Sequence, residues 1–198
     1  MLESAAAQAA QWFADGLLDE GASIAVNLSP RQIADPRNAQ ELLDYLDRNA
    51  GTVHWLKFEV TEGVLLQDPA AMVQLLRAFK KRGVGLSLDD FGTGFSSLSY
   101  LHKFPFDVLK IDRSFVMDIP DNSDAMRLVR TIIELGEDLG LTLVAEGVET
   151  EAQAQCLKSF GCDFAQGFFF SRPIPPAEIT ALLREQRPAA ARRAAGNR

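Results

Sequence analysis

Strand-length apolar runs separated by helical patterns constrain this 198-residue chain more than any single motif. The runs are SIAVNL from Ser23, HWLKFEV from His54, GVGLSL from Gly83, FDVLKI from Phe106, LTLVA from Leu141, and a last one from Phe164 to Phe170. Between them lie helix-like segments. The first, from Leu2 to Leu18, carries Trp12, Phe13 and Leu17 on one side and stops at Gly21; the second is interrupted at Asp35-Pro36. A third opens at Asp68-Pro69 and places Lys80, Lys81 and Arg82 at its end, as the helix dipole favours. Asp124–Leu139 is amphipathic through Met126, Val129, Ile132, Ile133 and Leu135, and two shorter helices follow, from Glu151 and over AEITALLREQ. Parallel strands need a long crossover between them, usually a helix. The alternation therefore predicts an α/β fold with a parallel sheet, its strands apolar enough to be covered on both faces.

A polar group stands at the end of every predicted strand: Asn27, Glu59, Asp89 with Asp90, Lys110, Glu146 and Gln166. In a parallel βα barrel those ends share one face, where active sites are built. An Asp-Asp pair alone reads equally as an acidic turn before a helix cap. For Asp89 and Asp90 to face one ligand, the strand is expected to end between them, with Gly92 and Gly94 allowing the turn and Thr93, Ser96 and Ser97 supplying hydroxyls. Lys110 alone reads equally as an ion-pair partner of Asp112 or a neighbouring acid, or as a holder of water or a phosphate oxygen. The series as a whole points to metal chemistry. Its ligands are carboxylates and an amide without Cys or His, which suits a hard ion, Mg²⁺ or Mn²⁺. Adjacent acids can bridge two such ions about 4 Å apart, an arrangement suited to in-line hydrolysis of a phosphodiester.

Composition narrows the rest. Acids outnumber bases 27 to 20, which argues against a surface for binding DNA. Cys156 and Cys162 match neither a CxxC pair nor a zinc knuckle and read as reduced core thiols of a cytoplasmic protein. His54 and His102 are isolated and read as surface or helix-end residues. No apolar run approaches the roughly 20 residues of a membrane span, and the N-terminus lacks the features of a signal peptide. The phenylalanines of Phe104–Phe106 and Phe164–Phe170 read as core rather than as a base-stacking platform. Residues 1–187 are expected to form one domain, with 188–198 a disordered tail.

Six segments in order, VNLSPRQ from Val26, FEVTE from Phe58, DDFGTGFSSL from Asp89, LKIDRSFV from Leu109, AEGVET from Ala145 and QGFFFSRP from Gln166, resemble the successive motifs of EAL-domain cyclic di-GMP phosphodiesterases. The resemblance implies a TIM-like (β/α) barrel, a Mg²⁺- or Mn²⁺-dependent site with two ions when substrate is bound, and hydrolysis of cyclic di-GMP to linear pGpG. By position it implies Asn27, Glu59, Asp89 and Asp90 as metal ligands and Lys110 and Glu146 as the residues that position or activate water. Gln166 is implied near the metal and nucleotide, with Glu62 and Glu149 in support. Glu62 is expected to tether the loop after Asp90, which in the family couples dimerisation to activity, and Asp112 is expected to be structural. The Glu-Ala-Leu signature itself is absent. The expectation is an incomplete barrel with about six of eight strands, lacking one ligating glutamate, with a reduced rate and a homodimer formed through the loop after Asp90 or through the exposed barrel edge. The alternative is a non-catalytic module that binds cyclic di-GMP or a protein.

Overall fold

A computed structural model of the protein describes residues 2–19, 21–65, 67–92 and 101–186. Six strands, β1 (Ile24–Asn27), β2 (Leu56–Thr61), β3 (Gly85–Phe91), β4 (Val108–Ile111), β5 (Thr142–Ala145) and β6 (Phe164–Ala165), pair in chain order, and every neighbouring pair is parallel. The helices are α1 (Leu2–Ala14), α2 (Pro30–Ala34), α3 (Pro36–Arg48), α4 (Glu62–Leu65), α5 (Pro69–Lys81), α6 (Arg113–Val116), α7 (Ser123–Asp138), α8 (Glu151–Ser159) and α9 (Pro176–Gln186). A sheet wound in chain order never reverses direction, which separates it from doubly wound folds and makes it part of a (β/α) barrel. The described residues supply six of the eight strands such a barrel has, and β1 and β6 are the edges of the sheet. No described helix is long and apolar enough to cross a membrane.

Local chemistry sets the helix starts. Ser29 and Gln32 form a reciprocal capping box ahead of α2, and Thr150 and Gln153 form another ahead of α8. Asp35 ends α2 and caps α3, accepting from Arg37 N at 2.8 Å, with Pro36 in the first helical position, so the expected interruption is a helix boundary.

The strands alternate more strictly than their composition suggests. Leu56, Phe58 and Val60 of β2, Leu86 and Leu88 of β3, and Leu109 and Ile111 of β4 are buried toward the helices. Phe58 meets Phe79 of α5 edge-on at 5.2 Å. Leu143 of β5 fits against Gly136 of α7 so closely that a Cβ there would lie 2.6 Å from it. The opposite side chains, Glu59, Ser87, Asp89 and Lys110, lie on the inner face by the two-residue period of a strand. The core thus sits between sheet and helices, and the inner face is left for polar chemistry.

Two expectations change. The last strand is only Phe164–Ala165, because the chain turns across Val148 immediately afterwards: Val148 N donates to Gln166 O and Phe169 N to Val148 O. Phe164, Phe168, Phe169 and Phe170 are consequently exposed, Phe164 at 63%, rather than core. They lie at and beyond the β6 edge, where no further described strand covers them. Phe104 and Phe106 are buried as expected. The glycine loop from Thr93 and the tail 188–198 lie outside the described residues.

Candidate active site

Asp89 and Asp90 share a side of the sheet through a bulge, not through the end of the strand. Leu88 of β3 pairs with Leu109 of β4 and Phe91 pairs with Ile111, so two residues of β3 stand against Lys110 alone. Asp90 absorbs the extra residue with φ 54°, a left-handed conformation that Asp tolerates better than most side chains. As a result one carboxylate oxygen from each of Asp89, Asp90 and Glu146 falls within 4.8 Å of the others. Glu146 follows β5 and is held there by its backbone N–H, which donates to Ile111 O at 3.0 Å.

Lys110 gathers the acids of three strands. Its Nζ lies 2.7 Å from Glu146 Oε1, 2.8 Å from Glu59 Oε1 and 2.9 Å from Asp89 Oδ1, and its side chain is 6% exposed. Burial by itself would lower the Lys110 pKa, but the carboxylates of Glu146, Glu59 and Asp89 outweigh it and hold the ammonium firmly protonated. Glu146 is displaced upward by burial, only partly offset by Lys110, and Asp90 is pushed up by burial and by the charges of Asp89 and Asp112. One ammonium therefore faces three carboxyl groups, Glu59, Asp89 and Glu146, with Asp90 beside two of them. The alternative pairing with Asp112 does not occur: Asp112 caps α6, accepting from Ser114 N at 3.0 Å.

These residues suit a divalent cation. The donors are all oxygen, the charge is left strongly negative after Lys110 is counted, and Asp89 Oδ1 is buried beside the ammonium without the alignment of a hydrogen bond. Asn27 stands at the end of β1 in register with Glu59, its side chain exposed at the same level.

The supporting residues are spread around this centre. Glu62 is buried and its Oε2 accepts from Gly92 N at 3.4 Å, at the start of the glycine loop. Gln166 is exposed just past β6, its backbone N–H bonded to Ala145 O at 2.8 Å. Glu149 is drawn away from the acid cluster and pairs with Arg113 at 2.9 Å, both side chains about half exposed. Arg113 was not singled out in the sequence, although it stands in LKIDRSFV beside the Asp112 cap. Ser87 was also missed: its hydroxyl is buried with no hydrogen-bond partner among the described residues, level with Glu59 on the inner face. The two-residue period from Asp89 could have found it.

Six parallel strands with a lysine-centred acid cluster at their C-terminal ends define a barrel with a metal-type site. The EAL domain family model matches residues 1–173, and the chain belongs to that family. It is 41% identical over 183 residues to the bifunctional diguanylate cyclase/cyclic di-GMP phosphodiesterase MucR of Pseudomonas aeruginosa, an alignment covering 92% of this chain and 26% of MucR. The solved MucR phosphodiesterase in complex with c-di-GMP superposes with a TM-score of 0.83 at 40% identity, covering 90% of this chain and 71% of that one. The EAL domain of Mycobacterium smegmatis DcpA gives a TM-score of 0.85 at 37% identity, covering 94% and 83%. A manganese/cy-diGMP complex of Klebsiella pneumoniae BlrP1 gives 0.72 at 36% identity, covering 87% and 44%. The chain spans about a quarter or less of the length of several curated relatives, 24%, 20% and 22% in three of them.

Proposed function

We propose that this chain hydrolyses one phosphodiester bond of cyclic di-GMP, releasing linear pGpG, with two Mg²⁺ or Mn²⁺ ions at the site when substrate is bound. The observation that carries this reading is the convergence of Glu59, Asp89, Asp90, Lys110 and Glu146 on one face of the barrel. The names of MucR and the BlrP1 complex support the nucleotide and the metal. Asn27, Glu59, Asp89 and Asp90 would hold the ions. Bound ions would supply charge stabilisation at the attacking and leaving oxygens. Glu146, its affinity for a proton raised by burial, takes the proton of the attacking water, and Lys110 holds that water or a phosphate oxygen. The water oxygen bonds to phosphorus as the ester P–O bond breaks, and the departing ribose oxygen leaves as a hydroxyl, taking its proton from solvent. Gln166 contacts the nucleotide, while Glu62 and Glu149 hold the loops on either side. The two free thiols suit a reducing compartment, and we place the activity in the cytoplasm.

Two copies are proposed to pair, through the loop after Asp90 or through the exposed β6 edge with Phe164 and Phe168–Phe170. Sedimentation of Phe168→Ser/Phe170→Ser beside wild type separates the two: loss of the dimer assigns it to the edge.

Turnover is tested by following cyclic di-GMP to pGpG with Mn²⁺ on protein that elutes as one compact species, beside Asp89→Asn. Turnover abolished by that substitution is the expected result. Folded protein that binds the nucleotide without hydrolysing it makes the chain a binding module instead.

A further inference from the structure

We infer that Lys110 is the resident cation of the metal-free site, and that a divalent ion binds here only by drawing carboxylates away from its ammonium. The inference rests on the divalent-metal part of the proposed function. Its basis is that Lys110 already holds Glu59 and Asp89, two of the proposed metal ligands, together with Glu146 beside them. Glu59, Asp89 and Glu146 each place an oxygen within 2.9 Å of Nζ. A carboxylate oxygen aimed at an ammonium has that lone pair committed, so ion and lysine compete for it.

The lysine cannot simply leave. Lys110 lies in β4, paired on both sides by β3 and β5, and its neighbours Leu109 and Ile111 are fully buried. Its ammonium stays within reach of the cluster whether or not an ion is present, and two cations at such range repel strongly where water is scarce. Without the ammonium, however, Glu59, Asp89 and Glu146 would lose the counter-charge they share, and the buried Glu59 and Asp89 left so are strongly destabilising. Lys110 thus lets the barrel fold before metal arrives and sets the concentration at which metal enters.

This gives Lys110 a signature that a water-positioning role alone does not: its removal moves stability and metal affinity in opposite directions. The test compares wild type with Lys110→Met, titrating Mn²⁺ by electron paramagnetic resonance with no nucleotide present and melting each protein in EDTA. The expected result is a melting temperature lower by roughly 10 °C without metal and a Kd for Mn²⁺ lower by about tenfold. A Kd unchanged or raised in a folded Lys110→Met protein overturns the inference. Should that variant not fold without metal, ¹⁵N-lysine NMR of the wild type decides: the Lys110 Nζ resonance is expected to shift as Mg²⁺ saturates the site, and a resonance that holds its position overturns the inference. An active chain whose Lys110→Met variant binds Mn²⁺ no tighter loses this inference and keeps the phosphodiesterase. A tighter-binding variant of a chain that never yields pGpG does the reverse.

Discussion

The indole Nε1 of Trp12 donates to Thr180 Oγ1 at 2.8 Å, fastening the first described helix to the last described one. α1 precedes β1 and α9 follows β6, so the bond joins the two ends of the sheet. Trp12 is buried, and the Thr180 hydroxyl that accepts from it donates in turn to Pro176 O at 2.8 Å. Thr180→Val keeps the shape and leaves the indole N–H unpaired. The expected loss is about 1–3 kcal/mol, or roughly 3–8 °C in a thermal melt of a domain this size. Thr180→Ser, which restores the acceptor, should recover most of it. A valine variant as stable as wild type would show that the clasp contributes nothing.

Gly147 and Gly140 share φ 69° but not surroundings, and the pair isolates what crowding adds to backbone strain. A Cβ on Gly140 meets nothing within 4 Å, so Gly140→Ala should cost about 1 kcal/mol, the left-handed penalty alone. A Cβ on Gly147 would lie 2.3 Å from Arg113 Cγ. Gly147→Ala must push Arg113 aside, break its pair with Glu149 and disturb Glu146 one residue back. It should cost about 2–3 kcal/mol in urea unfolding and weaken Mn²⁺ binding, which Gly140→Ala should leave alone.

How far the sequence carried is clearest at β3. Its apolar run, the two acids after it and the facing Lys110 were all legible, because strand composition and a charged strand end are local signals. The bulge was not. Whether Asp90 ends the strand or is absorbed within it depends on how β3 pairs with β4, and pairing register is a property of two segments. The same limit explains the phenylalanines. An apolar run after Asp163 reads as a strand, but Val148, from another segment, takes the backbone bonds that end β6 after Ala165. Lys110 was readable as paired, yet its partners were not, since Glu59, Asp89 and Glu146 meet it only once three strands are laid side by side.

Cys162 carries a pH dependence with a definite sign. Burial pushes its thiol up from 9.0 to about 11, partly offset by hydrogen bonds to the backbone of Phe164 and Ala145. The unfolded chain releases this proton near pH 9 while the folded one keeps it, so between pH 9 and 11 the folded state binds more protons. Stability should fall as pH rises through that window and be insensitive to this group below it. Iodoacetamide should accordingly modify Cys162 of the native protein very slowly at pH 8 and faster by about tenfold per unit of pH toward 11. Rapid alkylation at pH 8, located by peptide mass, would mean that the thiol is not held as the packing implies.

Glu146 and Glu149 stand three residues apart in AEGVET, and their surroundings assign them different work. Glu146 is drawn onto Lys110 at 2.7 Å, within reach of Asp89 and Asp90, with its proton affinity raised by burial. Glu149 points to Arg113 on the surface, an exposed pair of the kind that contributes about 0–1 kcal/mol. If Glu146 takes the proton of the attacking water, Glu146→Gln keeps the side chain's size and its contact with the ammonium while removing the base. The rate of pGpG formation should then fall by about 10²–10⁴, with cyclic di-GMP affinity much less affected. Glu149→Gln should lower the rate less than about tenfold, since it changes only how firmly the segment behind Glu146 is held. Measured side by side under saturating Mn²⁺, equal losses would move the catalytic role away from Glu146 and make the whole segment, rather than its first acid, the unit that matters.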